Sequence, residues 1–280
     1  MRALKGHGTG NDFIVVPSAE RDFSADEVAL LCDRHFGIGA DGLIRIVPTA
    51  EATDAFVREQ APEAAWFMDY RNADGSIAEM CGNGVRVFVH ALIAEGKAQP
   101  GAFKVATRGG TKSVQIDTVG GDVAVGMGVG EPLLPSSITI GEGDTMPASG
   151  MLFPNPHAVV FVDDLDDAGD LFDVPSWQPT DRYPNGVNVE FVRFAGPRHI
   201  ELRVHERGVG ETLSCGTGIC AAVNVARDAE QETESATWTV DVPGGRVHVD
   251  VDASGETTLR GPAAIVAELQ IDEDWLRREA

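Results

Sequence analysis

Two stretches of the chain carry helical signals yet have no polar face. The first holds Val85, Val87, Phe88, Val89, Ala91, Leu92 and Ile93 and stops at Gly96, a good C-terminal signal. The second holds Ile219, Cys220, Ala221, Ala222, Val223, Val225 and Ala226. A helix apolar on every side has to be wrapped by other elements. The residues that follow each one read as strands: 103–107, 111–117 and 123–127 after the first, then 237–242, 246–251 and 257–260 after the second. Upstream, the pattern predicts a strand over 13–17, an amphipathic helix capped by Ser24 and running to His35, and strands over 43–47 and 66–70. Glu27 completes a capping box with Ser24, and Val28, Leu31 and Cys32 share one face, which makes Cys32 a core residue. Residues 48–62 read as a loop with one helical turn.

The two halves repeat the same landmarks in the same order. With an offset of 134, Cys81 falls on Cys215 and Asn72 on Glu206. With 135, Thr107-Arg108-Gly109-Gly110 falls on Val242-Pro243-Gly244-Gly245. With 144, Asn11 falls on Asn155 and Ile14-Val15-Val16 on Ala158-Val159-Val160; with 146, Gly42-Leu43-Ile44 falls on Asn188-Val189-Glu190. The expected fold is therefore α/β (α+β), with two pseudo-symmetric domains, each a curled mixed sheet around a central buried helix. The expected boundaries are 1–127 plus 263–280 for one lobe, carrying Cys81, and 128–262 for the other, carrying Cys215. Residues 265–271 lack a counterpart at the front of their own half and should cross back onto the first.

Composition narrows the partners. A net charge of −22, from 22 basic and 44 acidic residues, argues against nucleic acid and against an anionic membrane surface. No apolar run is long enough to span a bilayer, and the opening residues lack the core of a signal peptide. Four cysteines in a chain of 280 residues fit a reducing cytoplasm better than a disulfide scaffold.

The chemistry concentrates where each buried helix begins. Cys81-Gly82-Asn83-Gly84 and Ser214-Cys215-Gly216-Thr217-Gly218 put a thiol at a helix start, where backbone N–H groups can seat an anion and favour a thiolate. A single such cysteine is equally well explained as a buried structural one; the repetition favours function. Equivalent elements facing each other across an interdomain cleft would place two thiols on opposite sides of one α-carbon. That arrangement suits stereoinversion, one sulfur removing a proton while the other supplies one. Gly82, Asn83, Gly216 and Thr217 could hold the carboxylate, and His157 and Glu206 are candidate partners for the sulfurs. None of the four lysines (Lys5, Lys97, Lys104, Lys112) lies in a pyridoxal-type motif, and no dinucleotide fingerprint follows a strand. Cofactor-free chemistry is what remains. The repeated positions of Asn11, Asn72, Asn155 and Asn188 favour a binding role over an ordinary turn role. Arg207 could merely pair with Glu206 or Glu211. A zinc site from Cys215 and Cys220 competes weakly, because the spacing matches no common structural pattern.

With these residues in place the chain resembles the diaminopimelate epimerases, a family of cofactor-independent two-cysteine amino-acid epimerases. The likeness rests on G-N-D-F (10–13), G-I-G-A-D-G (37–42), R-N-A-D-G-S (71–76), M-C-G-N-G-V-R (80–86), N-P-H (155–157), G-V-N-V-E-F (186–191), E-R-G-V-G-E-T (206–212) and S-C-G-T-G (214–218). It implies interconversion of LL- and meso-2,6-diaminopimelate, a diamino-dicarboxylate on the route to lysine and peptidoglycan. By that likeness Cys81 and Cys215 are the acid and base, tuned by His157 and Glu206 respectively. Gly82, Asn83, Gly216 and Thr217 take the reacting carboxylate. Asn72, Asn155, Asn188 and Arg207 hold the distal end, and Asn11 lines the site. No metal or cofactor is implied, and a homodimer stays open. Gly42 stands where some relatives carry a glutamine that reaches the substrate, so no side-chain contact is expected there. The alternatives are a proline or hydroxyproline racemase, a related two-thiol isomerase, or a redox-sensing or zinc-binding module.

Overall fold

A computed structural model describes all 280 residues. The chain divides into two compact units, one formed by Met1–Val125 with Gly261–Ala280 and the other by Gly126–Arg260. No helix is long and apolar enough to cross a membrane.

In the first unit a five-stranded sheet runs in the order Ala264–Gln270, Arg2–Gly8, Asn11–Val16, Gly42–Pro48, Trp66–Asn72. Only Asn11–Val16 and Gly42–Pro48 are parallel, and the helix Ala25–Cys32 makes the crossover between them. That helix has the Ser24–Glu27 capping box but ends three residues before the expected His35. Asp33 ends it, because its carboxylate accepts from the backbone N–H of His35 and of Phe36, each at 2.7 Å, and so builds a turn instead. Cys32 packs in the core, where burial pushes its thiol up to about 12. The last strand pairs antiparallel with Arg2–Gly8, which ties the C-terminal segment to the first unit. A closing helix, Glu273–Glu279, was not legible in the pattern; Asp272 caps it and only Leu276 is buried along it.

The central helix of this unit is Gly82–Ala94, and every residue from Gly82 to Leu92 is buried. It lies on Arg2–Gly8, Asn11–Val16 and Ala264–Gln270. Gly6 permits the approach, since a Cβ there would meet Val87 Cγ1 at 2.9 Å and the carbonyl oxygen of Ala264 at 2.7 Å. Gly101–Val105, Lys112–Ile116 and Val123–Val129 follow as an antiparallel meander.

The second unit has the strand order Ser176–Gln178, Glu131–Thr139, Met146–Leu152, Pro156–Phe161, Asn188–Gly196, His199–Glu206, Ala236–Val242, Gly245–Val251, Glu256–Gly261. Gly210–Thr212 adds to His199–Glu206. The central helix Gly216–Ala229 packs on Met146–Leu152, Pro156–Phe161 and Asn188–Gly196, with Ile219 to Val223 buried without a break.

Strand register carries the repeat more sharply than the residue types do. Phe13 pairs with Gly42 and Val15 with Ile44 in the parallel ladder of the first unit. In the second, His157 pairs with Asn188 and Val159 with Glu190, the same positions at offsets 144 and 146. The next ladder repeats as well: Leu43 faces Arg71, and Val189 faces His205. A one-residue slip would turn the buried face outward, so this register is firmly held.

Candidate active site

In the first unit Cys81 is the N-cap of its helix, in extended backbone geometry (φ −140°, ψ 119°). Its sulfur accepts from the Gly84 N–H at 3.4 Å, and its thiol donates to Asn11 Oδ1 at 3.5 Å. Asn83 Nδ2 donates to the same oxygen at 3.4 Å. Asn11 is held in turn, because its Nδ2 donates to Asp41 Oδ2 at 2.7 Å. A carboxylate accepts and never donates when ionised, so Asp41 fixes which end of the Asn11 amide faces the sulfur. Arg34 (2.7 Å) and the Asp12 N–H (3.0 Å) anchor Asp41. The backbone amides of Gly82 and Asn83 open the helix, ahead of its internal hydrogen-bond ladder. Asn72 has different company: its Oδ1 accepts from Tyr70 at 3.0 Å and its Nδ2 donates to Ser76 at 3.0 Å.

In the second unit Cys215 is the N-cap of Gly216–Ala229, with φ −118° and ψ 111°. Its sulfur lies 3.5 Å from Thr217 Oγ1, and the charge of Glu206 acts on it. Thr212 donates to Glu206 Oε1 at 2.5 Å. Burial pushes the Glu206 carboxyl above the usual carboxylate range, against the opposing pull of Thr212 and Cys215. Burial also pushes the Cys215 thiol well up, and the negative charges of Glu206 and Glu190 add to the effect. The helix start by itself favours a thiolate, and the surroundings of this sulfur oppose it. Desolvation and two nearby carboxylates outweigh the amide of Gly218 and the hydroxyl of Thr217. Cys220 is fully buried on the same helix. No group of three or more His, Cys, Asp or Glu side chains is gathered so as to hold a metal ion.

His157 is buried beside this cluster. Its Nδ1 lies 2.7 Å from Glu190 Oε1 and its Nε2 lies 3.2 Å from Asn155 Oδ1. Glu190 is itself inaccessible to solvent, and its second oxygen has no hydrogen-bond partner. Glu190 is not among the residues expected in the site from sequence. A glutamate inside the apolar run Val189-Glu190-Phe191-Val192 was the available signal, because a buried carboxylate needs a specific partner. Asp41 was missed too; it is the carboxylate of the G-I-G-A-D-G turn.

Asn188 Oδ1 accepts from the backbone N–H of Arg207 at 2.9 Å. The Arg207 guanidinium reaches only the Asn185 carbonyl, at 2.9 Å, and is exposed. Neither carboxylate considered as its partner takes it: Glu211 pairs with Arg203, and Glu206 accepts from Thr212. Apart from Asn72, which bonds Tyr70 and Ser76, the candidates fall into four groups. Cys81, Gly82, Asn83 and Asn11 form one; Cys215, Gly216, Thr217 and Glu206 a second; His157 and Asn155 a third with Glu190; Asn188 and Arg207 the fourth.

Similarity to known proteins follows the same lines. Among solved structures the chain resembles a Bacillus anthracis phenazine biosynthesis protein of the PhzF family (TM-score 0.71, 14% identity, 97% of this chain and 99% of that one). It also resembles a hydroxyproline epimerase from Agrobacterium vitis (TM-score 0.67, 15% identity, 97% and 92%). The fold is therefore that of the proline racemase and PhzF group. A family model for diaminopimelate epimerase matches residues 3–131 and 152–266. A diaminopimelate epimerase of Streptomyces coelicolor is 53% identical over 98% of this chain and 96% of its own length. One of Rhodococcus jostii is 44% identical over 97% of each. The chain belongs to the diaminopimelate epimerase family.

Proposed function

We infer that this chain interconverts LL- and meso-2,6-diaminopimelate by a cofactor-free transfer of the α-proton between two thiols. Family membership sets the reaction, and Arg207 is the observation in the site that carries the substrate class. In a chain of net charge −22, an exposed guanidinium beside Asn188 with no carboxylate partner is matched to an anionic group brought by the ligand. A substrate with one carboxylate, such as proline, has no use for it once the helix starts hold that carboxylate.

The proton balance is simple. A thiolate at Cys81 takes the α-hydrogen, and the C–H electron pair moves onto the α-carbon and into the carboxylate. Cys215, kept as a thiol by burial and by its carboxylate neighbours, gives its proton to the opposite face. The cycle ends with Cys81 as thiol and Cys215 as thiolate, and the reverse reaction uses the exchanged roles. Amides of Gly82, Asn83, Gly216 and Thr217 stabilise the charge that develops on the carboxylate. Glu206 resets Cys215, and His157 is assigned to Cys81. Asn72, Asn155, Asn188 and Arg207 hold the distal amino-carboxylate, with Asn11 beside Cys81. The cytoplasm, where lysine and peptidoglycan precursors are made, is the setting for this reaction. LL-diaminopimelate, L-proline and hydroxyproline incubated with the protein and resolved chirally will test the reading. Appearance of the meso form is expected, and inversion of proline or hydroxyproline alone would overturn it.

A further inference from the structure

We propose that Glu190 is a positioning residue that fixes His157 with its proton on Nδ1, leaving Nε2 as the nitrogen that gains and loses a proton. The geometry carries this. Glu190 Oε1 sits 2.7 Å from Nδ1, with both side chains wholly buried. An ionised carboxylate has no proton to give, so Nδ1 must carry one. The other ring nitrogen faces Asn155, 3.2 Å away. An amide can turn either its oxygen or its NH2 toward a partner, so Asn155 accommodates Nε2 with or without a proton.

Two further features mark Glu190 as a working group. Its second oxygen is buried with no partner, a cost that packing alone would not retain. The central helix also makes room for it: a Cβ on Gly218 would lie 2.4 Å from Glu190 Oε1 and 3.1 Å from its carboxyl carbon. The equivalent position in the first unit is Ile44, beneath Gly84. The groups that act on this pair from neighbouring elements are Glu206 at the end of His199–Glu206, Cys215 at the helix start, and Tyr183. All three belong to the second unit.

The inference deepens the epimerase reading, and its tests separate the two. ¹⁵N NMR of the histidine ring reads the tautomer without any activity, while turnover of diaminopimelate reads its consequence. Wild type should show Nδ1–H. Glu190→Gln keeps an acceptor and should keep the tautomer, with kcat within about tenfold of wild type. Glu190→Ile copies the first unit but leaves the buried Nδ1–H without its acceptor, so it should unfold at a lower temperature than wild type, still cooperatively. It should also show a mixed tautomer and lose about 100-fold in kcat with KM little changed. An Nε2–H tautomer in wild type would overturn the proposal whether or not Glu190→Ile folds. So would a folded Glu190→Ile with kcat within threefold of wild type. An inactive wild type that keeps Nδ1–H would sink the epimerase reading and leave the role of Glu190 standing.

Discussion

Beneath the start of the first central helix lie Phe13 and Ile44, whose carbons sit 3.5 and 3.4 Å from where a Cβ on Gly84 would be. Beneath the start of the second lie His157 and Glu190, at the same places in the same parallel register. The backbone frames match, and both helices are capped by a cysteine in extended geometry. Their surroundings differ in charge. Cys81 is partly exposed and bonds Asn11, a neutral amide; Cys215 is buried beside Glu206, with Glu190 acting on it from below. The difference teaches that duplication supplied the scaffold twice while the positions beneath the helix starts diverged, to Phe13 and Ile44 in one copy and to His157 and Glu190 in the other. At one helix start the amides offer an anion seat and Cys81 bonds Asn11. At the other that seat is outweighed by burial and carboxylates, which keep the proton on sulfur.

Breaking either thiol tests whether both copies are needed. Cys81→Ser and Cys215→Ser should each lower kcat by about 1,000-fold or more, because a hydroxyl is a far weaker acid than a thiol. Steady-state epimerisation of LL-diaminopimelate measures this, and near-wild-type rates in either variant would mean that one copy suffices.

The second copy can be altered alone. Glu206→Gln should lower kcat about 100-fold while the Cys81 side is untouched. It should also change how stability depends on pH. The folded-state pKa of Glu206 is raised above 4.5 by burial, so its contribution to stability is intact below pH 4.5 and is lost as pH rises through the raised value. Urea unfolding should therefore show Glu206→Gln gaining on wild type as pH rises from 4.5, and a constant difference would contradict the burial argument.

Arg207→Ala should raise KM for diaminopimelate about 30-fold with kcat within about threefold, the loss of a charge-assisted bond made equally in ground and transition states. A selective loss of kcat would move Arg207 from binding to chemistry. The smallest effect concerns packing. Gly218→Ala forces a Cβ against Glu190 and should cost about 2 kcal/mol. Gly84→Ala meets only ordinary contacts and should fall within about 0.5 kcal/mol of wild type. Thermal unfolding of the pair compares the two helix starts directly.

Much of this was legible before the fold was known. The two all-apolar helices announce themselves by lacking a polar face, and the offsets of 134 to 146 carry through to paired residues in the ladders. The strands between 131 and 206 were harder to read. Pro132, Pro135 and the acidic turn 163–167 break up their alternation, and pairing partners far along the chain decide them. The cysteines, Glu206 and Arg207 stood out because their residue types are costly unless used. Local pattern did not reveal what each touches. The state of the Cys215 thiol depends on burial and on Glu190, which comes from another strand, and no helix-start rule contains that information. His157 was singled out for one partner, yet its ring is held by Glu190, a contact that only the parallel ladder creates.

The measurement closest to the central claim is early-time isotope partition in deuterium oxide. LL-diaminopimelate is supplied with ordinary hydrogen at both α-carbons, and product and residual substrate are separated at low conversion. Two thiols on opposite faces predict meso product carrying deuterium at the inverted carbon, while residual LL substrate still carries hydrogen. Product that retains the original hydrogen, or equal labelling of substrate and product from the outset, would point to a single base and contradict the division of labour between Cys81 and Cys215.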